Sequence, residues 1–409
     1  MAKPGILFLH QNFPGQFRHI ALHLAQRMQW KVVGLGDARN TKAQLASGVQ
    51  ILAYKHEEPR PKGHPYLQGL ESRVRRGQSV VRGLLAMRKQ GFTPDIVCAH
   101  PSWGESFFVR EAFPRAKLVS YCEFYYRASG SDVGFDTEIT SNSLDDLCRL
   151  RLRNTTNLMA LVDCDSGWSP TRWQAAQYPA ELRDKISVVH DGVDTAVVRP
   201  DAHAVFRHGE LRLTAADTVL TYVARNLEPY RGFHIFMRAL PKLLRDNPQA
   251  QVVIVGGDDV SYGKAPPEGG NWREKMLGEI GDVAGMNRVH FTGKLPYKDY
   301  LSLLQVSTAH VYLTYPFVLS WSMLESMAAG CAIVASSTAP VTEVIEDGVN
   351  GILTDFFDVD TLAAKLTAVL SDRAGHAAMR ARARATVVES YDLNRVCVPR
   401  QMELLQGLL

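Results

Sequence analysis

Between Tyr300 and Thr342 the chain has one formally charged side chain in 43 residues, Glu325. A carboxylate in so apolar a stretch costs on the order of several kcal/mol unless it accepts hydrogen bonds. Paired hydroxyls, such as those of a ribose, would satisfy it, and so would an ion pair with a distant Lys or Arg. Arg225 follows the apolar run Thr218–Val223, and Arg231 directly precedes Gly232 and a helical pattern that starts near Phe233. Guanidinium groups at a strand end and a helix start form an anion trap, reinforced by backbone N–H groups and the helix dipole. The bland alternative is two solvated arginines. Gly256-Gly257-Asp258-Asp259 ends another apolar run, where missing side chains allow close approach of a ligand, although Gly-Gly is equally a plain turn. In the N-terminal half, Gly15 lies in the first loop, His100 follows Asp95–Ala99, and Glu123 follows Lys117–Tyr121 beside Phe124, Tyr125 and Tyr126. Aromatic faces beside a carboxylate suit a sugar-like acceptor, while a buried structural cluster would look the same.

The elements that position these residues repeat one unit. Ile6–Leu9 is a short apolar run, Gln11 to Gln16 has turn chemistry, and Phe17, Ile20, Ala21, Leu24, Ala25 and Met28 follow at helical spacing. Further strands are predicted at Lys31–Leu35, Gln50–Tyr54, Asp95–Ala99, Lys117–Tyr121 and Ile186–His190. The pattern pauses from Asp191 to Asp217, which has the turn chemistry of a linker. It resumes with strands at Thr218–Val223, Gln251–Val255, Arg288–Phe291, Ala309–Leu313 and Ala332–Ala335. Alternating buried strands and helices indicate parallel sheets covered on both faces. The expected fold class is therefore α/β with two facing Rossmann-like domains, residues 1–198 and 199–375, and a helical tail over 376–409 packing across both. Ligands of such sheets sit beyond the carboxyl ends of the strands, so the cleft between domains is the expected active site.

At 409 residues, 46% hydrophobic and 22% charged, the chain is neither disordered nor a disulfide miniprotein. Residues 1–198 hold 25 Lys/Arg against 19 Asp/Glu and the remainder 21 against 23, giving +6 and −2. A surplus of that size is too weak to argue for nucleic acid. The six cysteines include no C-x-x-C pair, which fits a reducing cytosol and argues against a zinc site. The uncharged stretch Tyr300–Leu324 contains Gln305, His310 and Pro316, and fits helix, strand and loop better than a membrane span. Residues 73–89 carry Arg73, Arg75, Arg76, Arg82, Arg88 and Lys89 with no acid. That pattern suits either an anionic membrane surface or a solvated basic face.

The segment Tyr315-Pro316-Phe317-Val318-Leu319-Ser320-Trp321-Ser322-Met323-Leu324-Glu325, with Thr342-Glu343-Val344-Ile345 and Asp347-Gly348-Val349-Asn350-Gly351 after it, resembles the C-terminal signature of glycosyltransferase family four. Val289–Leu295, Ala224-Arg225-Asn226 and Tyr230-Arg231-Gly232 extend the likeness. His10–Phe17 and Tyr121–Tyr126 look like a subgroup with its own N-terminal domain. The resemblance implies a retaining transfer from an NDP-sugar, UDP- or GDP-linked, to an acceptor hydroxyl of a glycan, a lipid-linked molecule or a small molecule. It implies that Arg225 and Arg231 hold the donor diphosphate and stabilise the charge developing on the leaving group. By the same likeness Glu325 contacts the ribose, the loop at Lys294 and Leu295 meets the base, and His100 touches the donor sugar. Gly15, Glu123, Phe317, Val318 and Leu319 fall on the donor-sugar or acceptor side. With two arginines at the phosphates, no metal or resident cofactor is expected. One departure stands out: the family has two glutamates eight apart, and the first position here is Phe317, which cannot accept a sugar hydroxyl bond. An NDP-sugar epimerase and a silent nucleotide-sugar-binding subunit remain the alternatives. A hydrolase is disfavoured because it needs a second carboxylate.

Overall fold

A computed structural model describes residues 3–41, 48–57, 63–140 and 142–409. It divides into two compact units, Met1–Gly192 with Asn394–Leu409, and Val193–Leu393. The expected division at 198/199 thus falls six residues earlier, for a local reason. Val193 pairs with Asp392 as an isolated parallel bridge, its N–H bonds the Tyr391 carbonyl at 2.9 Å, and Leu393 N–H returns to the Val193 carbonyl at 2.8 Å. This bridge fastens Val193 to the second unit. The expected tail likewise divides. Helix Ala377–Ser390 packs on helix Trp321–Ala329 in the second unit, whereas helix Val398–Gln406 packs on helix Arg18–Gln26 in the first.

The first unit holds a seven-stranded parallel sheet: β1 (Gly5–Leu9), β2 (Lys31–Asp37), β3 (Val49–Tyr54), β4 (Ile96–Ala99), β5 (Lys117–Tyr121), β6 (Ser166–Ser169) and β7 (Ile186–Val188). Their order is β3-β2-β1-β4-β5-β6-β7. Leu7, Leu9, Val33, Val97 and Leu118 are at most 2% exposed and pack with Val80 and Leu84 of the long helix Gln68–Lys89. Burial on both faces of the sheet is why these strands are continuous apolar runs rather than alternating ones.

The second unit opens with an antiparallel hairpin, β8 (Val205–His208) and β9 (Leu211–Thr214), where a linker was expected. Its six-stranded parallel sheet follows: β10 (Val219–Asn226), β11 (Gln251–Gly257), β12 (Val289–Gly293), β13 (Ala309–Tyr312), β14 (Ala332–Ser336) and β15 (Ile352–Thr354). The order is β12-β11-β10-β13-β14-β15. In both sheets the strand order reverses beside the first strand, between β1 and β4 and between β10 and β13. Chains leaving those neighbouring strands turn opposite ways and open a crevice at the carboxyl ends, where open α/β sheets bind ligands. Among the described residues no helix is long and apolar enough to cross a membrane.

Candidate functional site

In the second unit the crevice residues come from the segments after β10 and β13. Past β10 the chain makes a short turn at Pro229–Arg231, and Gly232 (φ 65°) starts helix Phe233–Asp246. A β-carbon at Gly232 would lie 2.3 Å from Leu313 Cβ, so only glycine lets this turn close against the end of β13. The turn delivers Arg231 into the crevice, 6% exposed. Its Nη1 donates to Thr314 Oγ1 (2.8 Å), the Val318 carbonyl (3.0 Å) and Tyr312 Oη (3.3 Å), all supplied by β13 and the loop after it. The Tyr262 ring lies against the guanidinium, 5.3 Å from Cζ to centroid. Burial works against the charge, but the Tyr312 and Tyr262 hydroxyls outweigh it and raise the Arg231 pKa further. Every hydrogen-bond partner of this buried cation among the described residues is a neutral acceptor, so its positive charge is not cancelled there. Arg225, the other member of the expected trap, is exposed and has no ion pair among the described residues.

Glu325 lies on helix Trp321–Ala329. Its Oε1 accepts from Tyr297 Oη and its Oε2 from Tyr300 Oη, both at 2.9 Å. Burial raises its pKa, with the two phenols pulling the other way. Two tyrosines from the preceding helix, not a distant cation, therefore satisfy the acid, and each oxygen keeps a lone pair for a further donor. Phe317 is 6% exposed inside an aromatic cluster, with ring centroids 5.3 Å from Tyr230 and 5.0 Å from Tyr262, while Tyr230 meets Tyr315 at 4.7 Å. Leu319 is buried as well, and Val318 serves through its carbonyl, which binds Arg231. At Gly256 the space of a β-carbon belongs to Leu227 Cδ2, 2.6 Å away. At Gly257 it belongs to Lys294 Cε, at 2.5 Å, and Asn226 Oδ1. The smallness of both glycines thus serves packing within the protein. Lys294 is exposed and pairs with Asp259 at 3.4 Å, and Leu295 packs against the core.

In the first unit, the segments after β1, β4 and β5 converge. His100 Nδ1 accepts from Ser102 N–H (3.4 Å), which leaves Nε2–H to donate to Glu123 Oε2 at 3.1 Å. Gln16 donates to Glu123 Oε1 at 2.5 Å, and the His100 ring stacks on Trp103 with centroids 4.6 Å apart. Burial would push the Glu123 carboxyl up. The hydrogen bond from His100, with that of Gln16, outweighs it and holds the pKa below the usual range. Behind this pair, His10 is driven down to about 3, chiefly by burial. Gly15 (φ 47°) lies flat on it, since a β-carbon there would fall 2.5 Å from the imidazole. Thus Gly15, His100 and Glu123 come together, joined by Gln16, His10 and Trp103. That layout follows from the strand order, which sequence spacing does not reveal.

The basic helix splits its charges. Arg76 is buried, bonded to Gln11 and 3.7 Å from Glu105, while Arg73 donates to the Ser102 carbonyl, Arg88 to the Ala112 carbonyl, and Arg75 pairs with Glu71. Arg153 stacks on Tyr126, 3.8 Å from Cζ to centroid, three residues beyond Glu123.

Comparison with known proteins gives two family models, the glycosyl transferase family 4 group over residues 28–198 and glycosyl transferases group 1 over residues 209–386. Curated relatives include a D-inositol 3-phosphate glycosyltransferase of Mycobacterium ulcerans, 32% identical over 206 residues (49% of this chain, 41% of that relative). A phosphatidyl-myo-inositol mannosyltransferase of Mycolicibacterium smegmatis is 33% identical over 199 residues (46% of each). The chain thus spans less than half the length of these relatives. Among solved structures, a sucrose-phosphate synthase from Thermosynechococcus elongatus superposes with TM-score 0.72 at 16% identity over 99% of each chain. Anabaena HepE in complex with UDP-glucose does so with 0.67 at 18% identity, over 99% of this chain and 100% of the other. At such identity the likeness establishes the fold alone. The matched domains, the two parallel sheets and the family-type segment from Tyr315 to Glu325 converge on one conclusion: the chain belongs to glycosyltransferase family four, with two Rossmann-like units of the GT-B type.

Proposed function

We propose that this protein is a retaining glycosyltransferase that moves a sugar from a UDP- or GDP-linked donor to an acceptor hydroxyl. The observation that carries the reading is Arg231, a buried guanidinium at the β10/β13 crevice whose protein partners are all neutral. A diphosphate would complete its coordination. As the anomeric C–O bond to the diphosphate breaks, negative charge collects on the leaving oxygen, and a preorganised cation stabilises it. The acceptor oxygen bonds the anomeric carbon on the same face, its proton passes to the departing phosphate, and the nucleoside diphosphate leaves. Arg231, with Arg225 from the solvent side, supplies the positive charge, so the reading asks for no metal. Glu325, already accepting from two tyrosines, retains capacity for a ribose hydroxyl.

On the acceptor side, Arg73 and Arg153 flank the segments that hold His100 and Glu123. Burial and then the neighbouring charge of Arg153 lower the Arg73 pKa, which is relieved when an anion binds between like charges. This supports an acceptor bearing a phosphate or similar group, in keeping with the names of the inositol phosphate relatives. Membrane contact through 73–89 would fall to the exposed Arg82 and Lys89, since the other basic residues are engaged within the protein.

The deciding experiment incubates the protein with UDP- and GDP-sugars, with and without phosphorylated and unphosphorylated polyols, and follows nucleoside diphosphate release. Acceptor-dependent release with retained anomeric configuration is expected. Epimer formation without acceptor, or binding without turnover, would replace the reading with an epimerase or a silent subunit.

A further inference from the structure

Three residues before Arg231 lies Glu228, which is completely buried. These opposite charges share one turn, yet they do not form an ion pair among the described residues. Instead, Glu228 Oε1 accepts from Ser261 N–H (3.2 Å), and Oε2 accepts from Tyr262 N–H (3.1 Å) and Gly263 N–H (3.0 Å). Asn226 Nδ2 donates to Ser261 Oγ at 2.8 Å, and Trp272 Nε1 holds the Lys264 carbonyl at 2.9 Å. A loop beyond the end of β11 is thereby tied to the turn beyond β10, and what it presents there is Tyr262. The Tyr262 ring faces the Arg231 guanidinium at 5.3 Å and leans on Phe317 at 5.0 Å, with the residue still 39% exposed. Pairing Glu228 with Arg231 would have neutralised both charges. Binding backbone N–H groups satisfies the acid and leaves the guanidinium charge for a ligand.

We propose that Tyr262 is a further binding residue of the Arg231 anion site, and that Glu228 is the positioning residue that holds it there. The proposal rests on the reading of Arg231 as a diphosphate ligand. The phenol donates its O–H to a phosphate oxygen while its ring covers the guanidinium and excludes water, which strengthens the charge interaction beneath. The ligand class is the diphosphate of a nucleoside diphosphate.

The test is calorimetric titration of UDP and GDP into wild type, Tyr262→Phe, Tyr262→Ala, Glu228→Gln, the Glu228→Gln/Tyr262→Ala double variant and Arg231→Met. Loss of one hydrogen bond to a charged group predicts affinity about tenfold weaker in Tyr262→Phe, and weaker again in Tyr262→Ala. Glu228→Gln should weaken binding by a similar factor, and the double variant should be no worse than Tyr262→Ala alone, because Glu228 acts through Tyr262. Wild-type affinity in both Tyr262 variants, or effects of Glu228→Gln and Tyr262→Ala that multiply, would overturn the proposal. If Arg231→Met alone loses affinity, the diphosphate reading stands and only this proposal falls. If Arg231→Met binds like wild type, the reading itself falls. Should Glu228→Gln fail to fold, Ser261→Ala, which removes only the Asn226 bond to the same loop, replaces it. A smaller loss in the same direction then supports the proposal, and unchanged affinity counts against it.

Discussion

Replacing Arg231 with methionine separates a cation kept for a ligand from one kept for the fold. In the unliganded protein the substitution removes three hydrogen bonds from Nη1 and leaves the Val318 carbonyl without its donor, at a cost of about 1–3 kcal/mol. It also removes a buried charge whose desolvation cost the Tyr312 and Tyr262 hydroxyls already outweigh. The melting temperature without ligand should therefore fall modestly, by no more than the lost hydrogen bonds account for. Binding behaves differently. Losing a charge-assisted contact worth roughly 1.5–3 kcal/mol weakens nucleoside diphosphate affinity by roughly 10- to 100-fold. At a ligand concentration of 100 Kd the wild type gains about 2.7 kcal/mol of apparent stability. A variant weakened 100-fold gains under about 0.5 kcal/mol at that concentration. Thermal melts with and without UDP and GDP read both quantities at once, and turnover should fall by about 10²–10³. A variant that melts far below wild type yet keeps its full ligand shift would make Arg231 a structural residue and refute the reasoning.

Other outcomes follow from the same geometry. Glu325→Ala should weaken nucleoside diphosphate binding by roughly tenfold while leaving 2′-deoxyribonucleotide binding nearly unchanged; equal losses for both would exclude a ribose contact. Glu123→Gln breaks the carboxylate that His100 and Gln16 share and should lower kcat more than it changes nucleotide affinity, measured by initial rates alongside calorimetry. Arg153→Ala should raise KM for a phosphorylated polyol and leave the unphosphorylated one unaffected. Stability should fall with acid. His10 and His310 are held neutral to about pH 3 and His190 to about 4, chiefly by burial, while the unfolded chain takes up protons below about 6.5. Stability is therefore full above 6.5, and each buried histidine removes up to about 1.4 kcal/mol per pH unit as pH falls toward its folded value. Chemical denaturation at pH 7.5, 6 and 5 measures the slope, and a flat profile would contradict it.

Most strands were legible because burial on both faces demands runs such as Ile6–Leu9 and Val252–Val255, which propensity and hydropathy both announce. The strand β6 was not. Its sequence Ser-Gly-Trp-Ser has one apolar side chain, and its place in the sheet is set by Trp168, whose indole N–H bonds the Val189 carbonyl at 2.7 Å. The hairpin of β8 and β9 was hidden by its charged outer face and by the turn residues on either side. At the site, the lone acid Glu325 and the turn before Gly232 drew attention by their isolation. Their partners could not be seen. Tyr297 and Tyr300 are ordinary helix residues until the fold brings helix Trp321–Ala329 beside them, and Thr314 meets Arg231 only because β10 and β13 are neighbours. Glu228 gave no signal, because its partners are backbone N–H groups more than thirty positions away.

The chain leaves the first unit at Gly192 and returns to it at Asn394. Helix Val398–Gln406 buries Val398, Met402 and Leu405 there, and Gln401 bonds the His190 carbonyl at 3.0 Å. A ribosome therefore releases the contiguous second unit, Val193–Leu393, before the first can be finished. Although begun earlier, the amino-terminal unit must wait, with the apolar seat for that helix uncovered, until translation has delivered the segment that fills it.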